Sequence, residues 1–175
     1  MGAWGTGPFD SDGALDYLGD LEEISGAARN GADEVDPVTV NRAVVLEQLR
    51  RTLAGAGEQD VLYAAAGLVA ARLVGQPSRN TGTGLFDRIH VGQGFPQELG
   101  LDRHCGYLGL IDRSTAEQLQ GDAMKAVAAL RGDQPWLGTW NSPAAIVTQL
   151  ERLALELAPG RHEPRESDRE PELGP

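Results

Sequence analysis

Residues 61–74 read VLYAAAGLVAARLV, and this stretch limits the possible folds most strongly. It is apolar on nearly every side, so a helix formed here has no polar face to turn to water and must be surrounded. A bilayer span takes about 20 apolar residues, and this run is shorter and interrupted by Arg72. The segment is therefore expected to be the buried centre of a helical domain, with neighbours packed closely on Ala64, Ala65, Ala66 and Gly67. Asp60 is placed to cap it, and Gly75-Gln76-Pro77 to stop it. Aromatic residues make up only 5% of the chain, so Ala, Leu and Val have to fill the rest of the core.

Four more helices are legible around this one. The first runs from about Asp12 to Ile24, capped by Asp10, Ser11 or Asp12, with Leu15, Leu18, Leu21 and Ile24 as its apolar stripe. A Gly/Asn/Asp loop over 25–36 leads to Asp36-Pro37, which reads as an N-cap followed by a first-turn proline. The second helix then extends to about Leu53, with Val38, Val45, Leu46, Leu49 and Leu53 on one face. Ser114 and Glu117 form a capping box for a helix ending near Arg131, with Ala116, Leu119, Ala123, Val127 and Leu130 turned inward. Trp136 and Trp140 flank a turn, and Ser142-Pro143 opens a final helix to about Ala158 along Ile146, Leu150, Leu153 and Leu157.

The fold class that follows is mostly α: a compact bundle of about five helices with an irregular, Gly-rich middle. Between 76 and 113, only Leu85–Val91 and Tyr107–Ile111 have the character of short helices or strands. The 175 residues suit one helical domain over 1–159, carrying an N-terminal arm with Trp4 and Phe9. The tail, 160–175, is charged and proline-bearing and is expected to be disordered. No internal repeat occurs.

Charge is distributed unevenly. The chain has 26 acidic and 15 basic residues, for a net charge of −11. Nine of the acids fall in residues 1–36, against a single base, Arg29. Asp16, Asp20 and Glu23 recur at helical spacing on the side of the first helix opposite its leucines. Such a chain repels nucleic-acid phosphates and anionic lipid and is suited to a basic protein partner. Only Lys125 among the basic residues is lysine, which with the abundant Ala and Gly looks like high-GC codon usage of the actinobacterial kind. A lone cysteine, Cys105, and no basic region followed by an apolar run at the N-terminus favour the cytoplasm.

Motifs that carry chemistry are thin. Asp10-x-Asp12-Gly13 with Asp16 lacks the glycine and glutamate positions of a calcium loop, and helix capping accounts for the same carboxylates. Thr81-Gly82-Thr83-Gly84 lacks the Lys-Ser/Thr ending of a phosphate loop. His90, His104 and Cys105, with Asp87 and Asp102, are the candidate metal or nucleophile set, but adjacent His104 and Cys105 cannot easily face one tetrahedral ion. No catalytic constellation and no cofactor fingerprint is present.

The N-terminal string G-A-W-G-x-G-x-F-D-x-D-x-A-x-D, Gly2 to Asp16, resembles the start of a bacterial family known as domain of unknown function 4259. Ser11 stands where that family carries Asn, and Tyr17 where it carries Trp. The Ala-rich stretch 62–73 and a Trp near 136–140 before a leucine-rich last helix are also similar to it, so the resemblance extends over 1–158. It implies a helical bacterial protein and brings no activity, cofactor or catalytic residue.

The functional expectation is a non-enzymatic interaction protein, immunity- or antitoxin-like in one concrete form. Its candidate surface is Trp4, Phe9, Asp16, Asp20 and Glu23, with Trp4 and Phe9 acting either as a latch onto the helices or as part of the binding patch. The rival expectations are a small metal-binding protein or enzyme using His90, His104 and Cys105, and a structural homo-oligomer; the sequence does not fix the oligomeric state.

Overall fold

The computed structural model describes residues 5–30, 34–74 and 107–160. Six helices and one small ribbon occur among them: α1 (Asp12–Ser25), β1 (Arg29–Asn30), β2 (Glu34–Val35), α2 (Arg42–Leu53), α3 (Gln59–Val74), α4 (Arg113–Gly132), α5 (Gln134–Leu137) and α6 (Pro143–Glu156). The protein is mostly α. The ribbon is antiparallel, with Arg29 opposite Val35 and Asn30 opposite Glu34.

Helix α3 is the centre, as its composition requires. Tyr63 to Ala71 and Leu73 are all buried, and α1, α2, α4 and α6 pack on it, α4 most extensively. Small side chains at 64–67 and 70–71 let those neighbours approach closely. Helix α1 begins where Ser11 Oγ accepts the Ala14 N–H at 3.2 Å and ends at Gly26, whose φ of 66° only glycine adopts without strain. Its inward residues are Ala14, Tyr17, Leu18, Leu21 and Ser25. The Tyr17 hydroxyl donates to Thr52 Oγ1 at 3.2 Å inside the α1–α2 seam.

Helix α2 starts later than its sequence suggests. Asp36 does not cap it: its Oδ1 accepts the Val38 N–H at 3.0 Å, and its carbonyl accepts from Thr39, which closes a local turn. The cap is Asn41, and Val38, expected on the inward face, is 89% exposed. The cap of α4 also differs from expectation. Asp112, two residues ahead of Ser114, accepts the Thr115 N–H at 2.7 Å, and Glu117 pairs with Arg113 at 2.8 Å instead of closing a capping box. Burial pushes the Asp112 carboxyl up, but the Thr115 bonds and the Arg42 guanidinium outweigh this and hold it below the ordinary carboxylate range.

One helical turn, α5, holds Pro135 and Trp136 and is capped by Asp133, with Trp140 three residues beyond its end. Trp136, Trp140 and Tyr63 meet edge to face with centroids 5.5–6.4 Å apart. The Trp136 indole N–H donates to Asp60 Oδ1 at 2.8 Å, tying α5 to the start of α3. Residues 107–110 form a 3₁₀ turn, and Leu108, Leu110 and Ile111 join the core. The candidate element at 85–91 and the tail beyond 160 lie outside the described residues.

Candidate interaction surface

Residues 5–10 of the N-terminal signature fold back as an arm over α3. The Asp10 carboxylate accepts the Gly7 N–H at 2.9 Å, which closes the arm into a tight turn. The Thr6 carbonyl accepts the Tyr63 hydroxyl at 3.0 Å. Pro8 lies so close over Gly67 that a Cβ there would sit 2.5 Å from the Pro8 Cβ. A Cβ on Gly5 would overlap the Asp10 carboxylate. Phe9 is 2% exposed. Burial, with a further push from the nearby Asp10 charge, drives the Tyr63 phenol well above its ordinary value.

This geometry separates the candidate residues. Phe9, entertained as part of a binding patch, is a core residue and presents nothing to a partner, because the turn held by Asp10 drives its ring inward. Trp4 lies outside the described residues. Asp16, Asp20 and Glu23 are exposed on one side of α1, and none makes an ion pair or side-chain hydrogen bond among the described residues. Glu22, beside them, is engaged: it holds Arg29, whose guanidinium also lies 5.2 Å from the centre of the Tyr107 ring.

Two exposed apolar side chains, Ile24 and Val38, lie in the last turn of α1 and in the turn tied to its end, where the sequence turns both inward. Ile24, 47% exposed, is four residues beyond Asp20 and so next to it on the helix surface. Ser25 takes the inward place, 2% exposed, with its hydroxyl donating to the Glu22 carbonyl at 2.8 Å. The Leu21-to-Ser25 step of four was the available signal. Val38 sits in the 36–39 turn, which is stitched to the end of α1 by Ala28 N–H to Thr39 Oγ1 at 2.7 Å and Asn41 N–H to the Ser25 carbonyl at 3.0 Å.

The metal or nucleophile set of His90, His104 and Cys105, with Asp87 and Asp102, lies outside the described residues. Among the described residues no group of three or more His, Cys, Asp or Glu could hold a metal ion, and no helix is long and apolar enough to cross a membrane. The family model for a domain of unknown function, DUF4259, matches residues 2–99, which take in the arm and α1 to α3. No curated protein and no solved structure matches the chain.

Proposed function

The chain belongs to the DUF4259 family, and on that footing we propose that it is a non-enzymatic interaction protein whose acidic α1 face binds a basic protein partner. Membership brings no activity with it, so the reading rests on surface chemistry. The observation that carries it is the exposure of Asp16, Asp20 and Glu23 side by side, with no cation paired to any of them among the described residues. Like charges at this spacing repel one another, and a partner rich in Lys or Arg would relieve that repulsion. The same field would steer the partner in and raise the association rate. The opposite side of α1 is fixed in the core, so binding requires little ordering of backbone. One concrete form is an immunity- or antitoxin-like inhibitor that covers the basic surface of a toxin. A reducing cytoplasm suits a chain whose one cysteine, Cys105, has no second cysteine to pair with.

The test uses the full chain as bait in extract from its host, beside an Asp16→Lys/Asp20→Lys/Glu23→Lys variant whose helix content matches the parent. We expect one basic protein to be retained by the parent at low salt, released at high salt, and not retained by the variant. Association of the purified pair should then slow at least about tenfold on charge reversal. Retention of the same protein by parent and variant alike, or no retained protein at low salt, would sink the proposal.

A further inference from the structure

We draw no further inference here: the strongest candidate, the exposed apolar pair Ile24 and Val38 at the C-terminal end of the acidic α1 face, adjoins the surface already proposed, and nothing in the structure shows what covers it.

Discussion

A methyl group at position 67 has nowhere to go. Its nearest neighbour, 2.5 Å away, is the Cβ of Pro8, part of a rigid ring that cannot rotate aside. Gly67→Ala must therefore lift the arm or shift α3, and overpacking of this kind costs about 1–3 kcal/mol. Gly121, in the middle of α4, has nothing within 4 Å of where its Cβ would be. There the same change removes only the backbone entropy of glycine, so Gly121→Ala should stabilise by about 0.5–1 kcal/mol. Urea denaturation of the two variants reads opposite signs if the arm is seated as described, and equal signs would refute the seating. The sequence showed a Gly-rich N-terminal stretch, 1–11, with two large anchors, Trp4 and Phe9. It did not show why glycine stands at 5 and 67, because those reasons are contacts with Asp10 and Pro8 that exist only once the arm has folded back.

At the scale of elements, the longer helices were legible, as were Ser11 among the cap candidates of α1 and Ser142 at the start of α6, but the caps of α2 and α4 were not. The helical recurrence of Leu18 and Leu21, or of Leu119, Ala123 and Val127, is local and survives in any helical context. A cap is a competition between adjacent polar residues, and tertiary partners decide it. Asp112 prevails over Ser114 because Arg42, 70 residues away on α2, pairs with it. Asp112→Ala should cost about 1 kcal/mol, as loss of a helix cap does. Ser114→Ala, at an exposed position, should stay within about 0.5 kcal/mol. Since the folded Asp112 carboxyl lies below its ordinary range, its contribution is complete above the unfolded value, about pH 4, and is lost as pH falls through the folded one. Asp112→Asn should accordingly flatten the acid limb of a stability–pH curve. The alkaline limb belongs to the α1–α2 seam. Burial, partly offset by the Thr52 hydrogen bond, pushes the Tyr17 phenol up to about 12. The unfolded phenol ionises near pH 10, so stability is intact below about 10 and falls between about 10 and about 12. Tyr17→Phe should lessen that fall, leaving the remainder to Tyr63; an unchanged curve would mean that Tyr17 is solvated.

For the whole molecule, the family match and the core do not end at the same place. The match stops at residue 99, yet the core continues through Leu108, Leu110 and Ile111, the inward face of α4, both of Trp136 and Trp140, and Ile146, Leu150, Leu153 and Leu157. Helix α3 is the reason. It is apolar nearly all round, and α1, α2 and the arm cover only part of it; α4 is its largest neighbour and α6 covers more. Without them Tyr63 loses both tryptophans, and the flank of Ala64 to Leu73 facing α4 meets water. Each large apolar side chain withdrawn from such a core forfeits about 1.5–3 kcal/mol. Leu119, Val127, Leu130, Ile146, Leu150 and Leu153 together come to about 9–18 kcal/mol, as much as the roughly 5–15 kcal/mol that keeps a domain folded. A fragment of residues 1–99 should therefore fail to fold cooperatively, giving a broad thermal transition with low helix content and binding a dye that reports exposed apolar surface. The fragment 1–160 keeps every core element found among the described residues and should melt in one sharp transition. A sharp, cooperative melt from the 1–99 fragment, with helix content proportional to α1, α2 and α3, would show that the matched stretch folds by itself and that α4 to α6 merely dock on it.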